Sequence, residues 1–143
     1  MAGMLYLVPT PIGNLSDISA RCRKTFEEAD FIAAEDTRVT LKLLNFLELK
    51  KPLVSYYEHN KLESGPKIVR RIQEGETCVL VSDAGSPAIS DPGEDLVRLC
   101  AEAGLTVCAI PGPCALVTAL SISGLPTGRF CFEGFLSINK KSR

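Results

Sequence analysis

Short apolar runs alternate with helix-length amphipathic stretches along this chain. The runs at residues 4–8, 31–34, 53–57, 77–81 and 105–110 are rich in Val, Ile, Leu and Tyr and predict five strands. After the first, Ser16 is placed to cap a helix with Asp17 in its first turn, and Ile18, Cys22, Phe26 and Ala29 recur at helical spacing. Val39, Leu43, Phe46 and Leu47 give a second helix its stripe; Ile68, Val69 and Ile72 mark a third. Pro66 suits the first turn of that third helix and Gly75 its stop, although a start near Lys61 also fits. Asp91 and Pro92 announce a fourth helix ending at Gly104, and Pro113 opens a fifth that stops near Gly124. Residues 129–136 read as a sixth strand. Strand–helix alternation repeated five times predicts an α/β fold: a doubly wound, mainly parallel five-stranded sheet with helices on both faces. Residues 1–128 form that domain, and 129–143 are expected to begin an interdomain strand and a second domain.

Composition narrows the class. The chain has 143 residues, an apolar fraction of 45% and a net charge of −1, which describes one globular domain and not a disordered segment. Balanced charge argues against a strongly electrostatic nucleic-acid clamp in this segment. The longest uninterrupted apolar run, Met4-Leu5-Tyr6-Leu7-Val8, falls far short of the ~20 residues of a membrane span. No charged region precedes an apolar leader, which points to the cytoplasm. Six cysteines lack C-x-x-C spacing and the chain has a single histidine, so no metal centre is expected. Cys78 and Cys108 fall inside strand-like runs, where reduced thiols pack as small hydrophobes.

In a sheet of this kind ligands gather outside the carboxyl ends of the strands. After the first strand, Pro9-Thr10-Pro11-Ile12-Gly13-Asn14 carries two prolines and one glycine. It is not a dinucleotide cradle, which needs glycines for close backbone approach, and it could be a rigid turn only. Glu35-Asp36-Thr37-Arg38 follows the second strand. Its acids either cap the next helix or supply a proton-accepting carboxylate beside a basic anchor. Glu58-His59-Asn60 follows the third, and His59 is either exposed and inert or suited to proton traffic next to Glu58. The loop from Ser82 to Gly93 is long for a connection in this fold and rich in Gly, Pro, Asp and Ser, as binding loops are. Pro111-Gly112-Pro113-Cys114-Ala115 precedes the fifth helix with room for a flat ligand. A nucleophilic Cys114 is disfavoured, because no second histidine could partner it.

Seven motifs, in order, carry a resemblance: VPTPIGNL (8–15), AAEDTR (33–38), EHN (58–60), VSDAGSPAISDPG (81–93), IPGPCA (110–115), SGLPT (123–127) and FEGFL (132–136). Together they resemble the ribosomal RNA small-subunit methyltransferase I group of the tetrapyrrole (corrin/porphyrin) methylase superfamily, over nearly the whole chain. The resemblance implies a class III methyltransferase that uses S-adenosylmethionine to methylate a cytidine ribose 2′-oxygen in small-subunit ribosomal RNA. It implies a donor cleft between two α/β domains, a 30S or ribosomal RNA partner, and a homodimer. By motif position, Pro11, Ile12, Asp83, Ala84, Gly85, Ser86, Ile89, Ser90, Cys114 and Ala115 should touch the donor. Glu58 with His59, then Asp36, are the expected catalytic bases. A tetrapyrrole methyltransferase keeps the fold and changes the substrate, and a non-catalytic half-domain is the third reading. The NAD-dependent dehydrogenase reading lacks its glycine fingerprint.

Overall fold

The computed structural model describes residues 1–138. Five strands, β1 (Met4–Leu7), β2 (Phe31–Ala34), β3 (Leu53–Ser55), β4 (Cys78–Val81) and β5 (Thr106–Ala109), form one sheet in the order β3-β2-β4-β1-β5. Every pairing is parallel, with Leu5 beside both Cys78 and Val107, and Ala33 beside Leu80. The helices are α1 (Ala20–Glu28), α2 (Thr37–Phe46), α3 (Lys61–Gln73), α4 (Gly93–Glu102) and α5 (Ala115–Ser121). The expected doubly wound α/β architecture is therefore the one observed.

Strand periodicity splits the core into two layers. Val79 and Val81 of β4, with Ile32 and Ala34 of β2, face Cys22, Phe26, Leu43 and Leu44 of α1 and α2. Cys78 and Leu80, with Phe31 and Ala33, face Ile68, Ile72, Leu96 and Cys100 of α3 and α4. β2 and β4 are buried at every position, which explains their uninterrupted apolar sequence. All six thiols are free, and Cys22, Cys78 and Cys100 are buried in these layers. Among the described residues no helix is long and apolar enough to cross a membrane.

Several predicted boundaries move, for local reasons. Ser16 does not cap α1. Asn14 accepts from Ser16 N at 3.0 Å and closes a 3-10 turn, Leu15–Asp17, while Ser19 accepts from Cys22 N at 3.0 Å and starts α1. α3 takes the earlier start at Lys61 and holds Pro66 in its interior. Asn60 builds that start: its Oδ1 accepts from Tyr57 N at 2.8 Å and its Nδ2 donates to Ser55 O at 3.0 Å. The sixth strand is not formed. Residues 129–138 make no ladder and are exposed throughout, and an apolar run becomes a strand only where a neighbour supplies backbone partners. Residues 139–143 of the expected interdomain segment lie outside the described residues.

Leu96 is fully buried between α4 and the sheet. Leu96→Ala should lower unfolding free energy by about 2–5 kcal/mol, the usual cost of a large core truncation. Urea denaturation measures it, and an unchanged midpoint would refute this view of the core.

Candidate functional site

α1 follows β1 onto one face of the sheet, and α2 follows β2 onto the same face. α4 follows β4 onto the other. β4 lies between β1 and β2, so the chain leaves its tip in the direction opposite to both neighbours. Crevices open at such reversals, outside the carboxyl ends.

The loops there are tied together. Thr10 N donates to Gly85 O at 3.1 Å and Gly85 N to Thr10 O at 3.0 Å, joining the β1 and β4 loops. Gly85 has φ of 79°, a conformation glycine adopts without strain. Ser86 Oγ donates to Pro113 O at 3.1 Å, joining the β4 and β5 loops. Asp83 Oδ1 accepts from Asp36 N at 3.2 Å, joining β4 to β2. A Cβ at Gly112 would stand 2.3 Å from Pro9 Cγ, so a residue without a side chain is what lets the β5 and β1 loops meet.

The β4 loop is strained and held. Ala88 and Ser90 have φ of 67° and 54°, unusual for residues with a Cβ. The Asp91 carboxylate sits under them, accepting from Ala88 N at 2.8 and 3.0 Å and from Gly93 N at 2.8 Å. Burial pushes the Asp91 carboxyl up, and these backbone donors pull against that. Tyr56 Oη donates to Pro92 O at 2.8 Å and anchors the end of the loop. Burial, then the charge of Asp95, pushes the Tyr56 phenol up to about 12.

On the α3/α4 side of this loop lies a cavity of about 600 Å³. Asp83, Ala84, Ser86, Ile89 and Ser90 form one wall, and Phe135 also lines the cavity. Glu35, Glu58, Asp91 and Asp95 make the cavity acidic, with Lys61 as its cation. Lys61 Nζ stands 2.9 Å from Glu58 Oε1 and 2.6 Å from Asp95 Oδ2, and these hydrogen bonds hold its proton firmly. On the opposite side of the β4 tip a smaller cavity of about 310 Å³ is lined by Pro11, Leu15, Val39 and Leu43, with Thr10 and Asp83 at its polar edge.

The predicted residues divide between these places. Gly85 is the buried hinge of the bridge, and Ile12 lies against it, 3.2 Å from where its Cβ would be. Pro11 lines the smaller cavity. Cys114 is the N-cap of α5 and Ala115 its first residue, and neither lines the larger cavity. Glu58 reaches the larger cavity but is engaged by Lys61. His59 is exposed, packed edge-on to Tyr57 with ring centroids 6.1 Å apart, and does not line it. Asp36 caps α2 and binds Arg38 at 2.8 Å; hydrogen bonds from the Arg38 side chain and backbone draw its carboxyl down to about 2. Glu35 was not distinguished from Asp36 in the sequence. It stands half-buried in the cavity wall, and burial, then the charges of Asp83, Asp91 and Asp36, raise its carboxyl. Strand parity carries the missing signal: Phe31 and Ala33 face α3 and α4, and Glu35 continues that series.

Asp91→Ala would leave the buried donors of Ala88 and Gly93 without acceptors. A loss of about 1–3 kcal/mol is expected, measured by denaturant unfolding, with Asp91→Asn retaining part of it. Equal midpoints for all three proteins would show that the loop does not depend on this carboxylate.

Residues 4–141 match the profile of the Tetrapyrrole (Corrin/Porphyrin) Methylases. The chain is 50% identical over 141 residues to a ribosomal RNA small subunit methyltransferase I of Escherichia coli O157:H7, covering 99% of this chain and 49% of that protein. It is 56% identical to the protein of the same name from Halalkalibacterium halodurans, again covering 99% of this chain and 49% of the relative. The chain thus spans about half the length of these relatives. A solved uroporphyrin-III-C-methyltransferase from Thermus thermophilus shares the fold, with a TM-score of 0.64 at 23% identity over 88% of this chain and 55% of that one. Profile, relatives and sheet topology agree: the chain belongs to the tetrapyrrole (corrin/porphyrin) methylase family.

Proposed function

We propose that this chain is the donor-binding half of an S-adenosylmethionine-dependent methyltransferase whose substrate is small-subunit ribosomal RNA. The observation that carries this reading is the tying of the β1, β4 and β5 tips, through Thr10–Gly85 and Ser86–Pro113, beside a cavity of about 600 Å³. That volume is typical of a site for a ligand of this size. The donor set fits as well: the methyl donor carries a sulfonium and an ammonium charge, and carboxylates dominate the cavity wall. The same wall would repel an RNA phosphate, so contacts to the RNA backbone belong on other surfaces.

Asp83, Ala84, Ser86, Ile89 and Ser90 would hold the donor, with Pro11 and Ile12 across the Thr10–Gly85 bridge and Cys114 and Ala115 beyond the β5 tip. The bound donor supplies an electrophilic methyl group. The protein's part is to align an acceptor hydroxyl with that methyl, to exclude competing water and to receive a proton. Cytidine ribose 2′-oxygen is the acceptor that the relatives' group suggests, and the complete protein would act as a homodimer on the 30S subunit. Glu58, in the cavity wall, and His59, exposed and outside it, are the candidate proton carriers that the resemblance suggests; Asp36, held by Arg38, is the weaker base.

Titration calorimetry with S-adenosylmethionine tests the donor site. The product of the complete reading frame should bind with micromolar affinity, and Ser86→Ala should weaken binding several-fold by releasing the β4 loop from Pro113. No heat with the wild-type protein would defeat the reading. Labelled methyl should enter 30S subunits and not uroporphyrinogen. The reverse result would favour a tetrapyrrole methyltransferase, and binding without transfer to either a non-catalytic domain.

A further inference from the structure

The methyl-transfer reading leaves open which group receives the acceptor's proton. We propose that Glu35, at the tip of β2, is that proton acceptor and so a catalytic residue; the assignment rests on the methyl-transfer reading and names its base. Geometry separates it from every other carboxylate around the cavity. Glu58 is held by Lys61, and Asp95 by Lys61 and Arg98. Asp91 is committed to the backbone of its own loop, and Asp83 accepts from Asp36 N. Asp36 is paired with Arg38. Glu94 has no ion pair, but it is exposed in the first turn of α4, where a helix N-terminus favours its charge. Glu35 alone combines a place in the cavity wall, partial burial and, among the described residues, neither a cation nor a backbone donor bonded to its carboxylate.

Its surroundings strengthen the proton affinity of that carboxylate. Asp83 and Asp91 face it from the β4 loop and Asp36 adjoins it, so burial and three like charges raise its pKa above the ordinary 4.5. Glu58 and Lys61 on the α3 side, and Glu94 and Asp95 on α4, share the cavity as a mixed set containing one cation. A carboxylate in that setting is a better base than a solvated one.

The step balances as follows. The acceptor hydroxyl oxygen bonds to the methyl carbon while the methyl–sulfur bond breaks and its electron pair stays on sulfur. The hydroxyl proton passes to a Glu35 carboxylate oxygen and from there to solvent. A cationic donor and a neutral hydroxyl become a neutral thioether, a methyl ether and one released proton.

The test uses Glu35→Gln in the product of the complete reading frame. Turnover should fall by about 100-fold or more, the scale of a lost general base, while the dissociation constant for S-adenosylmethionine changes less than about threefold, within ~0.7 kcal/mol of the wild type. Wild-type turnover should decline on acidification with a midpoint above 4.5, and carbon-13 NMR of the Glu35 carboxyl should show the same midpoint without any assay of activity. Stability gives an independent sign. The folded state binds this proton more tightly than the unfolded chain, so wild-type stability falls as pH rises through the interval from 4.5 to the raised value. Glu35→Gln should therefore melt higher than wild type at pH 7 and lose that advantage on acidification below the ordinary carboxylate value. Near-normal turnover by Glu35→Gln, or a Glu35 carboxyl titrating at its ordinary value, would overturn the assignment alone. A wild type that binds no donor and transfers no methyl would overturn the methyl-transfer reading and Glu35's role with it.

Discussion

β4 sits between two strands whose chains leave toward the opposite face, and everything at the carboxyl edge depends on that arrangement. Buried on both sides, β4 can only be flanked by parallel neighbours covered by helices. Right-handed crossovers then send α1 and α2 to one face and α3 and α4 to the other. The β4 loop is left overhanging a gap that its neighbours do not fill. Its length, its two left-handed non-glycine residues and its internal carboxylate are the means of spanning that gap while keeping one shape. Cross-ties to Thr10, Pro113 and Asp36 join four separate loops into one edge.

Charge is distributed unevenly around that edge. On the α3/α4 side, carboxylates gather about a single lysine among the described residues. On the α1/α2 side, the smaller cavity has apolar walls. A net charge near zero hides this division, because the cations are spent elsewhere in helix pairs such as Arg23–Glu27 and Lys67–Glu63. Such exposed pairs contribute little stability each. Their effect here is to leave the cavity's field to its own residues. A cationic methyl donor meets favourable potential there, which is the electrostatic side of the proposed function.

Beyond β5 the chain changes character. α5 has no buried residue, and Ile122, Leu125, Phe135 and Leu136 are largely exposed. The chain spans about half the length of the two relatives named above.

Much of this architecture was legible in the residues alone. Alternating apolar runs and amphipathic stretches specify five strands and five helices, because the central strands β2 and β4, covered on both faces, carry apolar residues at every position. The Ser82–Gly93 loop declared itself by length and small residues. Boundaries set by side-chain capping did not: Ser16 and Ser19 are equally good caps on paper, and only the Asn14 turn chooses between them. Residues 129–136 alternate like a strand, yet pairing needs a partner edge that no local pattern can report. At the site, Asp83, Ala84, Ser86, Ile89 and Ser90 line one cavity because those residues share one loop. The residues alone put Glu58 with His59 ahead of Asp36 and pass over Glu35, because that chemistry depends on which face of β2 Glu35 and Asp36 continue and on whether Arg38 or Lys61 reaches a carboxylate. Those are distances between elements far apart in the chain, and they exist only once the sheet has assembled.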